Sequence, residues 1–322
     1  MPGSGSGALG GCPWCNGLVM IRQLEYFVAL ARERHFARAA QECRISQPAL
    51  SESIRKLEAG LGVPLVRRGH AFQGLTPEGE AVLRWAQRLL ADRDALAQEV
   101  AALQAGLTGT LRLGVVPAAS STVARLSDAF ARANPKAGVQ IQGSLRSTDI
   151  IARVRSFELD AGLVYADPAE LGGLLAVPLY REEHVLVTKE GMFEGAGQPT
   201  AVDEVLSLPL CLLDSSMRGR QLLDDVLASH GRTAEPRIEC DSMTTLLAQV
   251  ATGRWASVVP AQWLAPLGEL AGLVQTPLVN PVITSQISLV ITEHQPLPLM
   301  LRALLSATGD VYPSVTKDFD LV

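Results

Sequence analysis

Residues 36–59, Phe-Ala-Arg-Ala-Ala-Gln-Glu-Cys-Arg-Ile-Ser-Gln-Pro-Ala-Leu-Ser-Glu-Ser-Ile-Arg-Lys-Leu-Glu-Ala, predict two short helices joined by a tight turn. The first helix should end before Arg44 and Ile45, which form the turn. Ser46 has the chemistry of an N-cap, because its hydroxyl can accept an unpaired backbone N–H. Pro48 then falls in the first turn of the second helix, where a missing N–H costs little.

The second helix has one apolar face, formed by Leu50, Ile54 and Leu57 at spacings of four and three. Its other faces carry short polar or cationic side chains: Gln47, Ala49, Ser51, Glu52 and Arg55. A helix with a short polar N-terminal end fits the major groove of DNA in a helix-turn-helix. The alternative is a two-helix piece of an ordinary α domain that never contacts DNA.

The charge of the chain is distributed unevenly. The whole protein of 322 residues has a formal charge of −5, which by itself argues against nucleic-acid binding. Residues 20–76, however, carry nine cations and five anions, a net +4, which leaves −9 for residues 77–322. A basic N-terminal segment followed by an acidic remainder is expected when only the N-terminal segment contacts DNA phosphate. Residues 20–76 are called the basic head below.

The sequence after the second helix predicts a hairpin, with short strands at Leu65–Arg68 and Phe72–Leu75. Arg67 and Arg68 would form a wing along the DNA backbone or minor groove. A solvated arginine pair is the alternative, which a position beside the recognition helix makes the weaker one. Residues 20–76 are therefore predicted to be a winged helix-turn-helix domain.

Thr76-Pro77 predicts the start of a long linker helix over residues 77–106. Heptad spacing gives it two apolar series, which suggest packing against a partner chain rather than against its own domain. The first series is Val82, Leu89, Leu96 and Leu103, and the second is Ala86, Val100 and Leu107, interrupted by Arg93.

Beyond Gly106, strands and helices alternate, which predicts an α/β unit with a mainly parallel sheet over residues 107–310. The predicted strands are residues 110–116, 139–142, 160–165, 184–187, 209–213, 237–240, 256–259 and 286–292. Residues 311–322 would be a tail, and the Gly/Ser-rich residues 1–19 a disordered extension. The extension contains Cys12 and Cys15 in a C-x-x-C motif. A redox motif of this kind normally follows a strand, and a zinc site needs a second pair of ligands. The sequence shows neither, so we expect no function for this pair.

No stretch is long and apolar enough to span a bilayer, and the N-terminus lacks the features of a signal peptide. We therefore expect a cytoplasmic protein without membrane contact. The five cysteines are scattered and odd in number, so they do not predict a disulfide framework. The five histidines show no metal-ligand spacing, so neither a metal nor a cofactor is expected.

Several motifs together resemble LysR-type transcriptional regulators. They are Arg22-Gln-Leu-Glu-Tyr-Phe, Phe36-Ala-Arg-Ala-Ala, Ser46-Gln-Pro-Ala-Leu-Ser, Leu57-Glu58, Leu61-Gly-Val-Pro-Leu-Val-Arg-Arg-Gly, Leu75-Thr-Pro-Glu-Gly, Leu159-Asp-Ala-Gly, Leu208-Pro-Leu, Asp241-Ser and Gly253 through Val259-Pro260. The resemblance covers nearly all of residues 20–310. It implies a winged helix-turn-helix, a dimerising linker helix, and a two-lobed α/β effector domain similar to periplasmic binding proteins. Lobe I would comprise residues 107–180 and 283–310, and lobe II residues 181–282.

The resemblance also implies which residues read DNA. They are Gln47, Pro48, Ala49 and Ser51 at the bases, with Arg38, Arg55, Arg67 and Arg68 near phosphate. Glu52 departs from the family, in which many members carry a neutral or cationic residue. The sequence leaves two roles open for the Glu52 carboxylate. It accepts a hydrogen bond from a cytosine amino group, or it forms an ion pair with Arg55 or Lys56.

The resemblance places effector contacts on four loops that each precede a helix, where N–H groups and hydroxyls converge and favour a small anion. The residues so implied are Ala118, Ser120, Ser121, Ser147, Thr148, Ser215, Ser216, Arg218 and Thr244. Arg218 would supply the counter-charge. Ala118 replaces a hydroxyl of several members, and any single serine can be an N-cap without a ligand.

Three other functions fit less well. A hydrolase lacks any recognisable nucleophile elbow, so we expect no enzyme. A periplasmic solute binder does not explain the basic head. A regulator that responds only to redox needs poised cysteines, whereas Cys211 and Cys240 fall on predicted core strands. The sequence thus predicts a ligand-responsive regulator that binds inverted-repeat DNA as a dimer, or more often a tetramer in this family, with RNA polymerase as a further partner.

Overall fold

The computed structural model describes residues 17–67, 72–143, 145–166, 168–264, 272–293 and 295–313. They form two compact units, which divide between Ala97 and Gln98. Among the described helices, none combines the length and apolar composition needed to cross a membrane. Arg68, the Cys12/Cys15 pair and tail residues 314–322 lie outside the described residues.

The helices of the described part are α1 (Gly17–Glu33), α2 (Phe36–Glu42), α3 (Gln47–Leu61), α4 (Pro77–Ala105), α5 (Ser120–Ala133), α6 (Ser147–Arg155), α7 (Pro168–Leu171), α8 (Val202–Leu206), α9 (Arg218–Ser229), α10 (Met243–Ala251) and α11 (Leu299–Val311). The strands are β1 (Gly109–Val115), β2 (Ala137–Gln142), β3 (Ala161–Tyr165), β4 (Leu174–Lys189), β5 (Thr200–Ala201), β6 (Cys211–Leu213), β7 (Ile238–Cys240), β8 (Ser257–Pro260), β9 (Leu273–Val279) and β10 (Thr284–Thr292).

The predicted helix-turn-helix is confirmed in detail. Arg44 turns the chain with a φ of 55°, and the Ile45 N–H donates to the Ala40 carbonyl oxygen at 3.0 Å. The Ser46 hydroxyl accepts from the Ala49 N–H at 3.3 Å, as an N-cap does. Leu50, as predicted, is fully buried, together with Ile54 and Leu57. The second helix is thus fixed against α1 and α2, and its polar faces point away from the core.

The hairpin is shorter than predicted. Instead of two strands, the described residues have a single antiparallel bridge between Val66 and Leu75. It is flanked by hydrogen bonds from the Arg67 N–H to the Gly74 carbonyl oxygen at 2.9 Å and from the Thr76 N–H to the Leu65 carbonyl oxygen at 3.0 Å. The buried Glu58 carboxylate organises its start, because Oε1 accepts the N–H groups of Leu65 at 2.9 Å and Val66 at 3.2 Å. The Glu58 carboxylate therefore accepts backbone N–H groups that a neighbouring strand would otherwise pair.

The long helix α4 begins after Thr76, whose hydroxyl accepts from the Gly79 N–H at 2.9 Å. The first part of the predicted heptad series packs within the N-terminal unit, where Ala86 is 1% exposed and Val82 is partly buried. Large apolar side chains further along remain exposed, at positions Trp85, Leu89, Leu96, Val100 and Leu103. We call these five residues the α4 stripe.

The two ends of the chain differ slightly from the predicted boundaries. Helix α1 begins at Gly17, so the predicted disorder does not extend over residues 17–19, which are helical. Helix α11 ends at Val311, the first residue of the predicted tail.

The C-terminal unit has two lobes joined by two strands. In lobe I the sheet runs β2-β1-β3-β10-β4, with β1, β2 and β3 parallel and β10 antiparallel to both neighbours. Lobe II continues along β4, whose second half pairs with β8 and β9, while β6 and β7 form a separate parallel pair. The two-lobed α/β fold is therefore as predicted. The sheet is mixed rather than mainly parallel, because β4 and β10 pair antiparallel with their described neighbours.

The sequence missed the first half of β4 and all of β9. It predicted a strand only at His184–Val187, whereas β4 starts at Leu174 and pairs with β10 as far as Glu183. The segment Tyr180–Glu183 is polar and charged, so it gives no apolar run and no clean alternation. Its strand character comes from its pairing with β10, over 100 residues away in sequence.

Candidate DNA-binding surface and effector cleft

The N-terminal end of α3 presents a small exposed surface. Gln47, Pro48 and Ala49 are exposed, and Ser51 is half-buried one turn further on. Because Ser46 caps this end, the surface combines exposed short side chains with the positive end of the helix dipole. Both features suit a close approach to the edges of DNA bases and to phosphate.

Three predicted phosphate-contacting arginines are described. Arg38 donates to the Glu33 carbonyl oxygen at 2.6 Å, which holds its side chain beside the start of α2. Arg55 donates to the Glu52 carboxylate at 2.7 Å, which is one of the two arrangements that the sequence left open. Arg67 is exposed at the wing. Both members of the Arg55 pair are about half exposed, so solvent screens it and DNA phosphate can compete for the guanidinium.

A cavity of about 290 Å³ lies between the two lobes of the C-terminal unit. Its lobe I wall is formed by the residues that follow β1 and precede α6, and its lobe II wall by those that follow β6 and start α9. The lining is part apolar, part polar and charged: Val116, Pro117, Ala118, Leu145, Arg146, Ser147, Tyr165, Leu213, Ser216, Met217, Arg218, Gly219, Asp241 and Trp263.

Four of the nine predicted effector residues line this cavity, namely Ala118, Ser147, Ser216 and Arg218. Ala118 and Ser147 come from lobe I, and the other two come from lobe II. Ser147 is 4% exposed, and its hydroxyl accepts from the Tyr165 N–H at 3.3 Å. This hydroxyl therefore fixes the wall of the cavity.

The other five do not appear in the lining of the cavity in the described part of the chain. Ser120 donates its hydroxyl to the Pro117 carbonyl oxygen at 2.7 Å, and Ser121 donates to that of Gln262 at 3.4 Å. The remaining three, Thr148, Ser215 and Thr244, have exposed side chains. The resemblance thus led to loops that line this cavity, but it did not tell which side chain of each loop lines it.

Arg146 is a lining residue that the sequence analysis missed. Its Nη2 donates to the Ser216 hydroxyl at 3.0 Å and so joins lobe I to lobe II across the cleft. The Asp214 carboxylate accepts from the Ser216 N–H at 2.9 Å, and the hydrogen bonds from Ser216 and the charge of Arg146 lower the pKa of Asp214. A cation directly before the Ser147-Thr148 pair was the available signal.

Two buried aromatic residues line the cavity as well. Tyr165 is 6% exposed, and its hydroxyl donates to the Glu182 carboxylate at 3.0 Å. Trp263 is 4% exposed, and its indole Nε1 has no hydrogen-bond partner among the described residues. A buried donor of this kind is normally satisfied in native proteins, so the wall retains capacity to donate to an acceptor.

The described cysteines are Cys43, Cys211 and Cys240, and none of them lines the cavity. Burial raises the pKa of all three thiols, that of Cys211 to about 12. Thiols with raised pKa values are weak nucleophiles at neutral pH. The described residues also contain no group of three or more metal-ligating side chains.

Comparison with known proteins identifies both parts of the chain. The model described as "LysR substrate binding domain" matches residues 104–312, and that of the "Bacterial regulatory helix-turn-helix protein, lysR family" matches residues 21–80. The chain belongs to the LysR family of transcriptional regulators. It is thus a DNA-binding regulator with an effector-binding domain, as predicted.

Curated relatives are transcriptional regulators as well. The chain is 36% identical over 256 residues to the "SDS degradation transcriptional activation protein" of Pseudomonas sp. (strain ATCC 19151), which covers 76% of this chain and 80% of that protein. It is 32% identical over 243 residues to the "Probable hydrogen peroxide-inducible genes activator" of Mycobacterium avium, with 74% and 77% covered.

Solved structures of LysR-type regulators share the fold. A full-length OxyR variant from Pseudomonas aeruginosa superposes with a TM-score of 0.69 at 24% identity, over 90% of this chain and 94% of that one. Full-length CbnR in complex with its target DNA superposes with a TM-score of 0.58 at 22% identity, over 90% and 99%. At these identities the likeness concerns the fold.

Proposed function

We propose that a small anion with an apolar body binds in the cleft between the lobes and changes the affinity of this regulator for DNA. The observation that carries the proposal is that Arg146 and Arg218 line a cavity of about 290 Å³ whose remaining wall is in part apolar. Small-molecule sites are typically concave and largely apolar, with a few well-placed polar groups.

The charges of the lining favour an anion over a cation. Two guanidinium groups face one carboxylate, that of Asp241, and helices α6 and α9 begin at lining residues. Their N-terminal N–H groups add positive potential. The apolar remainder of the wall, with Leu145 and Met217, would hold the body of the ligand. This combination favours a small carboxylic acid over a sugar or an amine.

On the DNA side, we propose that Gln47, Pro48, Ala49 and Ser51 meet base edges, and that Arg38, Arg55, Arg67 and Arg68 meet phosphate. The α4 stripe supports self-association, because five large apolar side chains on one long helix remain exposed in a single chain. A two-fold dimer would read two half-sites of an inverted repeat. Assembly of two dimers into a tetramer, and contact with RNA polymerase, complete the proposal.

The first experiment is a gel-shift on the intergenic DNA upstream of the gene for this protein, at stated salt and with a non-specific competitor. A footprinted shift would establish a local site, and the neighbouring genes would nominate ligands. If the folded, oligomeric protein gives no shift at low salt, this DNA is not its target.

The charge preference of the cleft is tested by thermal shift with small acids and their neutral amides, benzoate against benzamide being one matched pair. We expect stabilisation by acids alone, lost in Arg146→Gln and Arg218→Gln but kept in Arg254→Gln, where the arginine is exposed and does not line the cavity. Equal stabilisation by acids and amides would refute charge recognition.

Peroxide sensing is a second candidate, because relatives such as that of Mycobacterium avium carry that name. The raised pKa values of the buried Cys211 thiol and the half-buried Cys240 thiol argue against it. Treatment with hydrogen peroxide should leave the DNA affinity unchanged. A change that disappears in Cys211→Ser or Cys240→Ser would favour the redox function instead.

A further inference from the structure

A buried carboxylic acid marks the crossing between the lobes. Strand β4 pairs with β10 as far as Glu183 and with β8 from His184 onward, so lobe I gives way to lobe II at this point. Glu182 lies here, opposite Ser285 of β10, and is 0% exposed. A rotation of one lobe against the other would act on β4 at this point, where β4 passes from lobe I into lobe II.

Three hydroxyl groups surround the Glu182 carboxyl. Oε2 accepts from the Tyr165 hydroxyl at 3.0 Å and from the Ser285 hydroxyl at 3.4 Å, and Oε1 accepts from the Tyr180 hydroxyl at 3.4 Å. These hydroxyls come from β3, β10 and β4, respectively. Glu182 has no ion pair with a described cation among the contacts that the structure gives.

Behind these three groups, the hydroxyls form a directed chain. Tyr312 donates to Thr122 at 3.3 Å, and Thr122 donates to Tyr180 at 2.8 Å, which leaves the Tyr180 proton for Glu182. At the far end of this chain, the guanidinium carbon of Arg125 lies 5.5 Å from the centre of the Tyr312 ring. On β4 itself, burial lowers the pKa of His184 to about 4, so that imidazole is neutral at pH 7.

A fully buried carboxylate without a cation is costly, and it normally takes up a proton. Desolvation raises the pKa of Glu182 to about 7, although the hydrogen bonds from Tyr165, Ser285 and Tyr180 oppose the rise. Hydroxyl groups can reverse their roles, so one of them can accept from the protonated acid. Burial away from any described ion-pair partner therefore favours the neutral acid, in which one of these hydroxyls turns to accept the carboxyl proton.

Tyr165 connects this cluster to the cleft, because its ring lines the cavity while its hydroxyl bonds to Glu182. We propose that Glu182 and the hydroxyls around it form a proton-linked hinge, in which the arrangement of the lobes described here is the protonated state. Opening of the lobes would hydrate the carboxyl and release the proton. The link to effector response rests on the proposed function of the cleft, whereas the proton linkage does not.

The linkage is tested on the full chain without any effector. Glu182→Gln keeps the shape but cannot ionise, and Glu183→Gln changes the exposed neighbour on the same strand. Between pH 5 and pH 8.5 the unfolding constant of the effector domain in urea should rise by roughly two orders of magnitude more in wild type and Glu183→Gln than in Glu182→Gln. An equal pH profile in Glu182→Gln would overturn the proposal.

The hinge is tested by spin labels on non-canonical residues at exposed Ala124 in lobe I and Ala228 in lobe II. The distance distribution in wild type should change between pH 6 and pH 8.5, and Glu182→Gln should keep the pH 6 distribution throughout. If wild type does not respond, or if Glu182→Gln responds equally, the hinge is refuted.

A second variant covers the case in which Glu182→Gln does not fold. Ser285→Ala removes one of the longer hydrogen bonds to the carboxyl and should move the midpoint of both pH profiles upward, since it removes support for the charged form. An unmoved midpoint would count against the hinge. Because no ligand is present, failure of these tests and failure of anion binding in the cleft are distinguishable.

Discussion

Replacement of Glu58 by alanine should release the start of the wing. Its Oε1 accepts two N–H groups, those of Leu65 and Val66, which are 0% and 3% exposed. Hydrogen bonds to charged groups contribute about 1.5–3 kcal/mol each, and buried N–H groups left unpaired cost about 1–3 kcal/mol each. Since water can reach part of the opened site, we expect a loss of about 2–5 kcal/mol in the local opening free energy.

Hydrogen exchange measures this loss at the two amides themselves. One factor of ten corresponds to 1.4 kcal/mol, so exchange at Leu65 and Val66 should speed up by roughly 30- to 3,000-fold in Glu58→Ala. Glu58→Gln keeps one carbonyl oxygen in place and should lose only about 1 kcal/mol. Exchange within about threefold of wild type in Glu58→Ala would refute the account of the wing.

The same variant links the wing to DNA. Arg67 follows directly after the two amides, so its guanidinium should lose its fixed position when they are released. Loss of one phosphate contact lowers the slope of log affinity against log salt by about 0.9. Glu58→Ala should therefore reduce the salt slope, whereas Glu58→Gln should leave it close to that of wild type.

Three further predictions concern other parts of the chain. Ser51→Arg should abolish specific DNA binding in the gel-shift but keep the thermal shift with acids; loss of both would mean that the assigned domains are wrong. Leu96→Glu, at a position 66% exposed on the α4 stripe, should lower the molar mass in light scattering, and an unchanged mass would exclude the stripe as an interface. Gly162→Ala should cost about 1–3 kcal/mol in urea, because a Cβ there collides with the Ile150 side chain, whereas Gly138→Ala meets its closest neighbour at 3.6 Å and should cost clearly less.

Secondary structure was predicted best where the capping residues and the spacing of apolar residues indicate the same element. Helix α3 is the clearest case. Its N-cap Ser46, the early Pro48 and the spacing of its apolar residues all indicated its start and its buried face, and the structure has both as predicted. The first half of β4 gave only a weak signal, since Pro178 interrupts its apolar residues and the polar residues around Glu182 become strand by pairing with a segment about 100 residues away. Glu182 could not be recognised as buried for the same reason.

The cleft shows the same limit at the level of single side chains. The resemblance led to loops that line the cavity, but the direction of a side chain depends on the turn that precedes each helix. Ser147 faces the cavity wall, whereas Thr148, the next residue, is exposed. Arg146 was missed because a single arginine between a strand and a helix belongs to no repeating pattern. It joins the cavity wall only because the fold brings its Nη2 within 3.0 Å of the Ser216 hydroxyl.

The placement of β10 has a consequence for synthesis of the chain. Lobe I contains β1 to β3, but its sheet is completed only by β10, which lies between β3 and β4 and pairs with both. Lobe II is made almost entirely of the intervening residues, so on the ribosome its strands emerge before lobe I can be completed. Until Thr284–Thr292 have been synthesised, β3 and the first half of β4 each have an unpaired edge. Chains that end before residue 284 should therefore aggregate through lobe I, even though most of the effector domain is present.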